Sequence, residues 1–145
     1  MKLSTGLRDH ILATGDFQSG VDGGVIYIYD GTEPATADAA LSGNTLLMII
    51  SNDAAGTGIT MAATPASGVL GKNAAEVWRG VCVAAGTPTF YRFAGLTDSG
   101  LLSTTEKRMQ GTIGTVNADL IFSNTAFTVS AERRIDNFNV AQPTA

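Results

Sequence analysis

Charge is what this sequence has least of. Only 15% of its 145 residues are Asp, Glu, Lys or Arg, against about 25% in an average soluble domain. The nine basic residues are outnumbered by thirteen acidic ones, for a net charge of −4. The densest basic spots are Lys107-Arg108 and Arg133-Arg134, and each follows a glutamate, Glu106 and Glu132. In a strand the two members of such a pair point to opposite faces, so neither forms the basic stripe that a phosphate backbone needs. Nucleic acid is therefore not an expected partner. Cysteine is also nearly absent. Cys82 stands alone, which excludes an intrachain disulfide and any zinc site built on cysteines. There is one histidine, His10. No apolar run is long enough to span a bilayer, and Arg8, Asp9 and His10 interrupt what would be the apolar core of a signal peptide. No membrane association is expected.

Catalytic sets are missing as well. His10 has only Asp9 beside it, and adjacent helical residues do not face each other. No serine sits in a G-x-S-x-G elbow. The glycine runs at 20–24 and 56–58 match neither G-x-x-x-x-G-K-[ST] nor G-x-G-x-x-G. Asp16, Asp22 and Asp30 punctuate turns without the twelve-residue spacing of an EF-hand. The carboxylates Asp98, Glu106, Asp119, Glu132 and Asp136 are scattered. These readings point to no enzyme, no cofactor and no metal. Cys82 shares a strand face with Trp78 and is expected to pack as a small hydrophobe.

What the sequence has in excess is glycine, 17 residues, among short apolar and β-branched stretches. Residues 3–14 predict a helix, with Leu3, Leu7 and Ile11 at four-residue spacing, Ser4 or Thr5 as cap and Gly15 as stop. Gly6 argues against it. So short a helix must pack on something. Asp16–Gly24 reads as a turn. Val25–Tyr29 is a strand with Val25, Tyr27 and Tyr29 on one side and Ile26 and Ile28 on the other. Thr45–Ile50 and Glu76–Ala84 are further strands. In the latter, Trp78, Gly80 and Cys82 oppose Val77, Arg79, Val81 and Val83. Thr89–Phe93 is expected to return as its hairpin partner through residues 85–88. Residues 95–106 form a polar loop. Residues 107–113 alternate Met109, Gly111 and Ile113 with Arg108, Gln110 and Thr112, the pattern of a strand with one wet side. Asp119–Phe122, Thr125–Ala131 and Arg133–Val140 complete the set. The result is one mainly β domain, an antiparallel sandwich or jelly-roll-like barrel with a short N-terminal helix, a β core over 25–140 and a flexible tail at 141–145.

A low-charge surface costs little to desolvate, since stripping water from unpaired charge is the expensive step. Self-association or docking follows as an expectation. Tyr27 and Tyr29 are the best-suited anchors by residue type, and the helix face of Leu3, Leu7 and Ile11 is the other interface candidate. The aromatics Tyr27, Tyr29, Trp78, Phe90, Tyr91 and Phe93 serve a core first. A sugar platform would need them exposed.

The stretches MKLSTGLRDHILATG, DGGVIYIYDGTEPATADAAL, AAEVWRGVCVAAGTPTFYRF and RMQGTIG together resemble small structural proteins encoded in the virion gene blocks of tailed bacteriophages. The resemblance maps no functional residue onto this chain. It implies a β-rich virion protein, made in the host cytoplasm, that associates with itself and with other virion proteins as a trimer or ring. Capsid decoration, or cement, comes first among the expectations. A tail or neck component is the alternative, and a carbohydrate-binding β module is the alternative from another class.

Overall fold

The computed structural model describes residues 1–142. The chain runs β1 (Lys2–Leu3), α1 (Thr5–Ala13), α2 (Phe17–Val21), β2 (Val25–Tyr29), β3 (Leu46–Asn52), β4 (Val69–Gly71), β5 (Trp78–Val81), β6 (Phe90–Ala94), β7 (Met109–Gly114), β8 (Leu120–Ile121), β9 (Glu132–Ile135) and β10 (Asn139–Ala141). The fold is mainly β, with two sheets and a short N-terminal helix. The larger sheet has the order β1-β7-β6-β2-β3-β5-β9, and β8 also pairs with β7. Every pairing is antiparallel except β7 with β8. β10 and β4 form a separate two-stranded sheet. Neither sheet closes into a barrel, which corrects the jelly-roll-like barrel expected from the strand count. Strand count and turn spacing do not set the hydrogen-bonded order of a sheet, and here β8 and β9 stay unpaired with each other.

The alternation in β2 decides where the cores lie. Ile26 and Ile28 point into the main core with Leu7, Leu47, Met48, Ile50, Trp78, Phe93, Ile135 and Phe138. Val25, Tyr27 and Tyr29 point the other way, into a smaller cluster with Phe90 and Ala94. Trp78 sits at 0% exposure, edge-on to Phe93 and tilted against Phe138. Its Nε1 donates to Glu76 Oε2 at 2.9 Å, so the ring is buried without orphaning its polar atom.

Several local expectations change. The helix begins at Thr5, because Ser4 caps it by accepting from the Leu7 N–H at 3.1 Å. Leu3 therefore lies in β1, opposite Met109, and shares no helical face with Leu7 and Ile11. Residues 16–24 hold a second helix, α2, closed by a capping box between Asp16 and Ser19. The glycines in that stretch masked it. β5 does not form a hairpin with β6. It pairs with β3 and β9, while β6 pairs with β2 and β7. Residues 125–131 are not a strand: Phe127 is buried and Val129 is 60% exposed. The single strand expected over 133–140 breaks into β9 and β10. Ala141 belongs to β10, so the tail expected from 141 starts inside a strand, and its residues 143–145 lie outside the described residues.

Candidate functional site

One row of side chains crosses the large sheet and organises its outer face. Registers place Tyr27 opposite Ile49 and Arg92, Arg92 opposite Gln110, and Gln110 opposite Lys2. Met48 pairs Cys82 and Ser51 pairs Arg79, which sets Ile49 opposite Val81, and Val81 faces Glu132. The row Glu132–Val81–Ile49–Tyr27–Arg92–Gln110–Lys2 is covered at one end and bare at the other.

The covered end is ionic. Arg108 and Gln110, expected on a wet face, are both 0% exposed, as is Arg92. The connection around residues 33–39 and the loop containing Asp98 lie over them. Arg108 Nε donates to Asp98 Oδ1 at 3.0 Å, its Nη2 also pairs with that oxygen, and its Nη1 reaches the carbonyls of Ala37 and Asp38. Arg92 donates from Nε and Nη2 to Gln110 Oε1 and from Nη2 to the Ala39 carbonyl. Gln110 in turn donates to Glu33 and to the Pro34 carbonyl, and Glu33 pairs with Lys2 at 3.0 Å. Asp38 accepts from both the N–H and the Oγ1 of Thr5. Burial and the neighbouring Arg108 both push the Arg92 guanidinium below its usual value. Arg92, Arg108, Gln110 and the Asp98 side chain are sealed from solutes, while Lys2, Thr5, Glu33 and Asp38 stay partly exposed at the margin. Their chemistry is the fastening of two long connections and the N-terminal segment to β6 and β7.

The candidate interface residues fall mostly inside this domain. Leu7 is 0% exposed in the main core, with Leu3 and Ile11 packed against the same core. Tyr27 and Tyr29 are each 9% exposed. Tyr27 donates to the carbonyls of Gly95 or Leu96, and burial pushes the Tyr29 phenol up to about 12. On β3, β5 and the residues flanking β5, the exposed apolar side chains are Ile49, Val77, Val81 and Val83, at 37 to 63% exposure. They lie on the bare end of the row and along β5 and its flanks. Around them Arg79 pairs with Asp53 and Glu132, and Arg134 pairs with Asp136. The signal was present in the alternation Val77-Arg79-Val81-Val83, but an apolar strand face reads as core until the covering elements are known.

His10 contacts a serine. Its Nε2 lies 3.0 Å from Ser19 Oγ. The acid beside them is Asp16, whose Oδ1 accepts from the Ser19 backbone N–H. A charge-stabilised base would need the carboxylate on the imidazole Nδ1 instead; Asp16 and Ser19 make the N-terminal cap of α2, and His10 contacts that cap from α1. Burial raises the Cys82 thiol. Among the described residues no three His, Cys, Asp or Glu side chains come together as metal ligands. Asp22 accepts from the Met61 N–H and Asp30 from the Thr45 N–H, each fixing a turn. No helix is long and apolar enough to cross a membrane.

No family model matches the chain, no curated protein matches it, and no solved structure matches it at a significant level.

Proposed function

We propose that this protein is a non-enzymatic structural subunit of a phage particle that works by having its surface covered, as a capsid decoration or cement protein. The observation that carries this reading is the bare half of the large sheet. Ile49, Val81 and Val83 form an uncovered apolar strip whose rim charges are already paired with one another. An apolar centre inside a polar rim is the anatomy of a protein interface, and prepaired charges lower the cost of removing water from it. The sequence resemblance to virion structural proteins supports the particle, and the low charge supports extensive contact. The fold is read as an open sandwich, in which the β4–β10 pair caps the main core through Leu70 and Val140. A position in the tail or neck uses the same surface. A sugar platform has less support, because Trp78, Phe90, Tyr91 and Phe93 are each at most 1% exposed.

Sedimentation of the wild type and of an Ile49→Lys/Val81→Lys variant tests the reading. The expected result is a symmetric oligomer for the wild type and a folded monomer for the variant. A wild type that stays monomeric at high concentration and does not bind particles lacking it would overturn the proposal.

A further inference from the structure

The large sheet has two ends that face each other without pairing. A cleft of about 610 Å³ separates them, lined only by residues 118–124 and 132–139, so that all of β8 forms one wall and all of β9 the other. Both walls present strand edges. The bonds Asp53 N–H to Val77 O and Val83 N–H to Leu47 O commit the odd-numbered residues of β5 to β3. The even-numbered Trp78 and Gly80 then bond Ile135 and Arg133, and the main-chain N–H and C=O of Arg134 point away from β5. On the other wall, Phe122 N–H donates to Gly114 O, which commits Leu120 and Phe122 to β7 and turns the main chain of Ile121 outward. Among the described residues neither Ile121 nor Arg134 has a main-chain hydrogen bond beyond its own strand. The Glu132 carbonyl is taken by Arg133 Nη1. Arg133 Nε is buried without a partner.

The lining also specifies what would fit. Leu120, Phe122, Ile135 and Phe138 line the cleft and belong to the main core. The exposed lining residues are Ile121, the uncharged polar Ser123, Asn124, Asn137 and Asn139, and the charged Asp119, Glu132, Arg134 and Asp136, of which the last two pair with each other. Glu132 is held by Arg79, Asp119 accepts from the Thr112 N–H, and the Arg133 guanidinium lies over the Phe127 ring. Each exposed charge of the walls thus has an opposite partner, the N-terminal amine in the case of Asp119, and Arg133 is the one lining residue whose charge has no ion-pair partner among the described residues. We propose that the cleft accepts an uncharged, extended peptide segment of another protein, which inserts as a strand between β8 and β9 with alternate apolar residues toward the core. A segment of four residues spans about 13 Å at the strand rise, which is the length of β9. Main-chain bonds to both walls supply affinity and the alternation supplies specificity. The cleft shares Glu132 with the rim of the bare face of β3 and β5, but it uses the main-chain edges of β8 and β9 and not the side chains of Ile49, Val81 and Val83, so each can fail without the other.

The probe is a synthetic peptide of sequence TVTITVT, titrated into the full chain labelled with ¹⁵N, with a proline-interrupted peptide as control. The expected result is a shift and slowed exchange of the Ile121 and Arg134 amides, absent with the control peptide. Arg134→Pro removes one outward donor at a position where an edge strand tolerates proline, and Ile121→Pro does the same on the other wall. Loss of binding in whichever variant stays folded supports insertion. Unchanged amides in the wild type, shifts confined to other surfaces, or protection of both amides without peptide that grows with protein concentration would overturn the proposal. The last would mean a second copy fills the cleft.

Discussion

Gly6 shows how a single residue can contradict its local propensity. Glycine in a helix interior costs about 1 kcal/mol relative to alanine, so Gly6→Ala would ordinarily stabilise α1. Here a Cβ at position 6 would stand 2.3 Å from the Thr105 carbonyl oxygen and 2.8 Å from that of Glu106. Both are backbone atoms and cannot swing aside. The helix lies directly against the 95–106 loop because the side chain is missing. Gly6→Ala is expected to lose about 1–3 kcal/mol, as overpacking does, which urea denaturation would register as a lower midpoint. A gain in stability would show that the close approach is dispensable. Gly80 is a parallel case on β5, where a Cβ would meet the Ile49 carbonyl at 2.1 Å.

At the scale of elements, β7 holds the main lesson. Its alternation was legible in the sequence, and Met109 and Ile113 do face the main core. The opposite face was not legible as buried, because Arg108 and Gln110 look solvated in any local window. Connections distant in sequence bury them and supply their partners. The Arg108 side chain is 0% exposed and that of Asp98 is 3%, so removing one partner strands the other in a dry site. Asp98→Ala is expected to cost about 3–5 kcal/mol. Adding Arg108→Met to that variant should recover most of the loss, since the uncompensated charge is gone. Thermal unfolding of the two variants measures this, and a double variant no more stable than Asp98→Ala would contradict it.

For the whole molecule, acid stability follows from carboxylates on separate elements. Burial by itself would raise Glu76, but the hydrogen bonds from the Thr60 N–H and Oγ1 and from Trp78 Nε1, with Lys72 nearby, outweigh it and hold the carboxyl below its ordinary value of 4.5. Burial would likewise raise Asp119, and its hydrogen bonds from the N-terminal amine and from Thr112 bring it below 3.8. A depressed folded-state value contributes stability that is complete above the ordinary value and lost as pH falls through the depressed one. The unfolding midpoint is expected to fall as the solution is taken below pH 4.5. Glu76→Gln should flatten part of that fall while lowering stability at neutral pH. A wild-type midpoint that stays level through the acid range would contradict the assignment.

By itself the sequence determined the β class and the two-faced registers of β2 and β5, because each depends on side chains alternating along one strand. Its low charge also set how cheaply the surface can lose water. Strand order, the gap between β8 and β9, the burial of Arg92 and Arg108, and the exposure of Ile49, Val81 and Val83 were decided only by tertiary structure. Those properties depend on which distant segment covers a face or pairs an edge, and no local pattern records that choice.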